Sequence, residues 1–234
     1  MRPERAAAWE ALPVESEVQT TEVEAREGAM EGALAVAGQL GYRAASVRAI
    51  LDYSGGHRRQ FYELFASKED CFEQAYSAWI GRVGAAVLEA AVGAPSWPES
   101  VQAGLVALFR FVSGQPEIAR SLFVEVQVAG GGALSQHDEA MERIAEALDS
   151  VRDRIEADQA PPASTGLFVV GGIEACVCDA LTAGDPQRVW DALPELMHLA
   201  VGSYLTTAAA EAAFEDAKAV LEREGDALRG GEGR

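Results

Sequence analysis

The sequence predicts an all-α chain in two parts, a small N-terminal three-helix unit and a larger C-terminal helical one. Three observations carry that prediction. Alanine is abundant, aromatic residues amount to 7% and β-branched runs are scarce, a balance that favours helix over strand. Apolar residues recur at i, i+3 and i+4 along most of the 234 residues. Prolines and glycine pairs fall between those stripes, where helices begin and end.

Residues 1–20 are expected to form a flexible extension, since Pro3 and Pro13 break them and no apolar period is sustained. Helix 1 is expected from about 21 to 40, burying Met30, Ala33, Leu34, Ala37 and Leu40. Ser46 caps a second helix, because its hydroxyl can accept an orphan N–H of the first turn, and Val47, Ile50 and Leu51 form its apolar stripe. Gly55-Gly56 stops it. A third short helix over roughly 57–63 turns Phe61 and Leu64 inward and leaves His57, Arg58 and Gln60 outward. Ser67-Lys68-Glu69-Asp70 fits a capping box opening a fourth helix to about 91.

Further helices are expected at about 97–113 after Ser96-Trp97-Pro98, at 116–129 after Pro116, and at 134–157 after Gly130-Gly131-Gly132. Pro161-Pro162 is a break, followed by helices at 165–183 and 186–206, the second kinked or restarted at Pro194. A last amphipathic helix reaches about 224. The chain thus divides into an extension (1–20), a three-helix unit (21–68), a larger helical unit (69–228) and a loose tail (229–234).

Charge singles out one stretch. Residues 41–68 carry five cations (Arg43, Arg48, Arg58, Arg59, Lys68) against Asp52 and Glu63, while the whole chain stands at −18. A basic island in an acidic protein points to nucleic-acid phosphate. Two short helices about a glycine turn are a helix-turn-helix pattern, whose second helix presents its first turn to a major groove.

These residues carry a specific set of landmarks: Gly41-Tyr42, Ser46-Val47-Arg48-Ala49-Ile50, Ser54-Gly55, Phe61-Tyr62, Phe65 and Ser67-Lys68-Glu69-Asp70. In that order and spacing, residues 21–72 resemble the N-terminal domain of the TetR family of bacterial repressors. The chain departs from the family pattern at Ala45, Tyr53 and Gly56, where threonine, alanine and a branched apolar residue are usual.

The resemblance implies a homodimeric, ligand-responsive regulator, a repressor released from a palindromic double-stranded DNA operator by a small, largely apolar effector. Tyr62 and Lys68 resemble the family's phosphate clamps. Arg48, His57, Arg58 and Gln60 are candidates for base contacts, or for ordinary phosphate contacts. Arg43 and Arg59 are expected on the backbone, and Ser46 is expected to cap its helix and bond a phosphate. An effector pocket between helices 4 and 8 is expected to draw on Trp79, Phe109, Phe123, Gln127, His137 and Met141, each of which also fits plain core packing. Ligand binding would swing helix 4 and separate the two recognition helices. The helices 165–183 and 186–206 are expected to form the dimer interface through Leu167, Val170, Gly171, Ile173, Val177, Leu196, Ala200 and Tyr204; the same stripes also suit burial within one subunit. A DNA-binding structural or division factor of the same fold, with no effector, is the alternative.

Other classes find little support. The most apolar stretch, 167–181, is interrupted by Glu174 and Asp179, so no membrane helix is expected. Arg2, Glu4, Arg5 and Glu10 do not form a secretory signal, and three cysteines argue against a disulfide framework; a cytoplasmic protein is expected. Cys176 and Cys178 diverge on a helix and the three histidines are scattered, so no metal or other cofactor is expected. There is no phosphate-binding glycine loop after a strand and no GxSxG, and the expectation is that the chain is not an enzyme.

Overall fold

The computed structural model describes residues 15–156 and 159–231, and among these the chain is helical with no strand. The N-terminal unit comprises α1 (Glu15–Leu40), α2 (Val47–Ser54) and α3 (Arg58–Leu64). Ser46 accepts the Ala49 N–H at 3.2 Å and caps α2, while Gly55, at φ +70°, ends it. That left-handed backbone is one that glycine adopts without steric cost. Helix α4 (Lys68–Ala91) opens on Ser67, which accepts the Asp70 N–H, and Asp70 returns a carboxylate to the Ala66 N–H. The capping-box expectation therefore holds, with the return bond one residue earlier than usual.

The larger part follows as α5 (Trp97–Gly114), α6 (Pro116–Arg120), a π-helical turn (Ser121–Glu125), α7 (Val126–Ala129) and α8 (Gly131–Asp149). A 3-10 turn (Ser150–Arg154) leads to α9 (Thr165–Ala183); a second (Pro186–Ala192) precedes α10 (Leu193–Gly202) and α11 (Thr207–Gly231). Three boundaries differ from expectation. The 134–157 segment starts inside its glycine run and ends at Asp149, because Gly130 and Gly131 take positive φ and release the chain straight into α8. The 186–206 segment is 3-10 until Leu193, where Pro194 sits in the first turn of a restarted helix. Helix α1 begins at Glu15 and α11 ends at Gly231, so residues 15–20 and 229–231 are helical; the rest of the expected extension, 1–14, and of the tail, 232–234, lies outside the described residues.

Two apolar cores result. The smaller gathers Ala29, Ala33, Ile50, Phe61, Phe65 and Cys71. The larger includes Leu34, Val36 and Ala37 of α1 and Phe72, Ala75 and Tyr76 of α4, then runs through α5 to α11. Helices α1 and α4 thus contribute side chains to both cores. Gly38 of α1 packs so closely on α6 that a Cβ there would overlap the Glu117 carbonyl.

Helix α9 meets the length and hydropathy of a membrane span, with mean hydropathy 1.6, contrary to the sequence expectation. Its two charges, Glu174 and Asp179, are too few to lower the average. One face, Val169, Ile173, Val177 and Ala180, is buried in the larger core, and Val170 beside it is buried too.

Candidate nucleic-acid interface and ligand pocket

The helix-turn-helix presents its cations outward. Arg43, Ser46, Arg48, His57, Arg58, Arg59 and Tyr62 are exposed, and Gln60 is half-buried. Phe61 and Phe65, 5.3 Å apart, anchor α3 on the small core, which fixes the face it shows to solvent. Burying a phenylalanine fully contributes about 1.5–3 kcal/mol, enough to hold so short a helix in register. Arg59 lies 2.8 Å from Glu63 and Arg48 3.7 Å from Asp52, while Arg58 stands over the Tyr62 ring. Exposed pairs of this kind are worth about 0–1 kcal/mol, so a phosphate can displace them.

Lys68 has a partner the sequence did not show. Its side chain is only 18% exposed; the ammonium donates to the Tyr42 carbonyl at 3.0 Å and lies 4.4 Å from the Tyr42 ring centroid. It therefore ties the loop after α1 to the start of α4, with two protons left over. The Tyr42 hydroxyl is shifted upward by burial first and by Glu69 and Glu73 second, so the ring stays neutral beneath the ammonium. Spacing alone could not show this bond, which joins residues 26 positions apart.

A pocket of about 780 Å³ lies in the larger part, walled by Ile80, Val83 and Val87 of α4, Leu105 of α5, Met141 of α8 and Ile173 of α9. Of the six expected liners, Phe123 and Met141 face it. The other four do not. Phe109 is fully buried against Trp190, Trp79 stacks on Phe111, and Gln127 is exposed. His137 sits behind the wall, buried between Tyr76 and Glu174. Sequence reasoning missed Glu174, which lines the pocket; its only signal was a carboxylate in the middle of a helix whose one other charge is Asp179.

Glu174, His137 and Tyr76 form a chain that runs from the half-buried Glu174 to two buried side chains. Glu174 Oε1 is 2.7 Å from His137 Nε2, and His137 Nδ1 is 2.9 Å from the Tyr76 hydroxyl. That hydroxyl also donates to the Leu122 carbonyl at 3.1 Å in the π-helical turn. Burial raises the Tyr76 hydroxyl far above its ordinary value, with Glu174 and Asp138 adding to the shift, so it remains protonated. On either side of Leu122, Ser121 donates to the Leu34 carbonyl at 2.5 Å and Glu125 accepts the Tyr42 N–H at 2.8 Å. The π-helical turn therefore grips α1 and the loop after it, next to the three-helix unit. A π turn widens the helix and re-aims side chains, and such turns recur at functional sites.

The expected dimer residues divide. Val170, Ile173, Val177, Leu196, Ala200 and Tyr204 are buried in the chain's own core, the within-subunit placement. They have almost no surface left for a partner, and Tyr204 donates instead to Asp149 at 2.6 Å. Leu167 and Gly171 are exposed, and with them Phe168, at 74%, and Leu199. The outward apolar face of α9 is thus one helical step round from the expected stripe.

The comparisons agree with this architecture. Residues 29–75 match the family model described as bacterial regulatory proteins, tetR family. The fatty acid degradation regulator FadR from Bacillus halodurans has a similar fold, with a TM-score of 0.67 at 14% identity over 76% of this chain and 95% of that one. Curated protein sequences give no match.

Proposed function

We propose that this chain, whose residues 29–75 match the tetR-family model, is a TetR-family transcriptional repressor released from a palindromic operator by a small, largely apolar effector. The observation that carries the proposal is the double membership of α4. Its first turns pack in the small core through Cys71, and its middle walls the pocket through Ile80, Val83 and Val87. A ligand that fills the pocket pushes on the same helix that supports the reading head.

In this reading the protein acts in the cytoplasm as a homodimer, without catalysis. Leu167, Phe168, Gly171 and Leu199 supply the interface between copies. Gln60, His57, Arg58 and Arg48 reach base edges, while Arg43, Arg59, Ser46 and Tyr62 hold backbone phosphate. Lys68 holds the Tyr42 loop, and any phosphate it meets shares its remaining protons. The effector must favour the released conformation by its differential affinity, since equal binding to both states shifts nothing. The pocket supports this reading over that of a structural factor without an effector, for which an apolar pocket of this volume has no use.

Selection of bound fragments from the source genome tests the proposal. It expects an inverted repeat whose half-sites lie about one helical turn, ~10 bp, apart. Recovered fragments indistinguishable from the input overturn it.

A further inference from the structure

We infer that Glu174 is the pocket's recognition group and that the effector is a lipophilic amine, an apolar body carrying a protonated nitrogen. The inference rests on the ligand-responsive reading above and names the chemistry of its ligand.

The pocket is walled largely by apolar side chains from α4, α5, α8 and α9, which asks for a hydrophobic body. Glu174 is the one acid among its lining residues, with its side chain 25% exposed. Its Oε1 is engaged by His137, and among the described residues Oε2 has no hydrogen-bond partner. A carboxylate accepts and cannot donate, so the complementary ligand group is a donor. A cationic donor is favoured further, because a charge-assisted bond beside apolar walls is short and strong. An acid in the same place would set two carboxylates together with no cation between them. Arg143 and Arg154 also line the pocket, but both are exposed and hold an anion in water with little gain.

The position of Glu174 also gives the ligand leverage. An ammonium on Oε2 draws the carboxylate that orients His137, and His137 shares the Tyr76 hydroxyl with the Leu122 carbonyl. The ligand nitrogen is then three side chains from the π-helical turn that holds Leu34 and Tyr42.

The test compares dodecylamine, dodecanoate and dodecanol, each below its micellar concentration, by isothermal titration calorimetry. The same titrations are run on E174Q, which keeps an oxygen for His137. Dodecylamine is expected to bind the native chain at least tenfold tighter than dodecanoate, with dodecanol between them, and E174Q is expected to reduce the amine-to-acid ratio to threefold or less. Dodecanoate binding as tightly as dodecylamine, or a ratio unmoved by E174Q, overturns the assignment of Glu174 and leaves the pocket intact. If none of the three binds, the ligand-responsive reading falls, and this inference with it. The native amine-to-acid ratio decides the matter even if E174Q is poorly folded.

Discussion

The Tyr76 hydroxyl is hydrogen-bonded both to His137 Nδ1 and to the Leu122 carbonyl. Removing the hydroxyl strands both in a dry environment. Tyr76→Phe is expected to cost about 1–3 kcal/mol in urea unfolding, the usual penalty for a buried polar group left unpaired. On the DNA face the expected effects separate by role. Gln60→Ala should change preference at one base position by about 1–3 kcal/mol, whereas Arg43→Ala should weaken all sequences alike and lower the salt slope by about 1, both read by mobility shift across a salt series. The exposure of Arg43, Arg48, Arg58 and Arg59 was legible in the sequence, because cations on a short helix-turn-helix segment need no distant partner to face solvent. The setting of Lys68 was not. Its bond to the Tyr42 carbonyl depends on how α4 meets the loop after α1, which no local pattern records.

At the scale of elements, α1 and α4 behave as shared struts. Each contributes side chains to both cores, so neither unit can reorient without them. Gly38 is where α1 touches α6, with no room for a Cβ beside the Glu117 carbonyl. Gly38→Ala should therefore prise α1 from α6 and destabilise the fold by about 1–3 kcal/mol, the usual cost of overpacking, although alanine is the better helix former. A thermal melt reads this directly, and a variant more stable than the parent would contradict the close packing. Caps and breakers fixed most helix ends in advance: Ser46, Ser67 and Ser96 each accept a first-turn N–H as their position suggested. The π-helical turn was not foreseeable, since Ser121–Glu125 reads as ordinary helix and only its grip on Leu34 and Tyr42 explains it.

For the whole molecule the telling surface is the outward face of α9. Leu167 is 51% exposed and Phe168 74%, beside Gly171, which leaves room for a neighbouring helix. A contiguous apolar face of this kind on a chain of −18 net charge suits a second copy better than water. Phe168→Glu is expected to yield monomers in sedimentation at micromolar concentration and to weaken operator binding at least ~100-fold, because two half-sites are then bound independently. Retention of the dimer by this variant would place the interface elsewhere.

The sequence by itself determined the all-α class, the helix order and the cationic reading head, because these follow from periodicity, caps and net charge within windows of a few turns. Only the tertiary structure decided which apolar stripe is core and which is surface. Val170, Ile173 and Val177 share a helix with Leu167 and Phe168, and a small rotation about its axis exchanges their roles. It also decided that Glu174, His137 and Tyr76, far apart in the chain, meet behind the pocket. Buried polar groups such as His137 and the Tyr76 hydroxyl are stable only where partners are brought to them, and those partners are chosen by the packing of α4, α8 and α9.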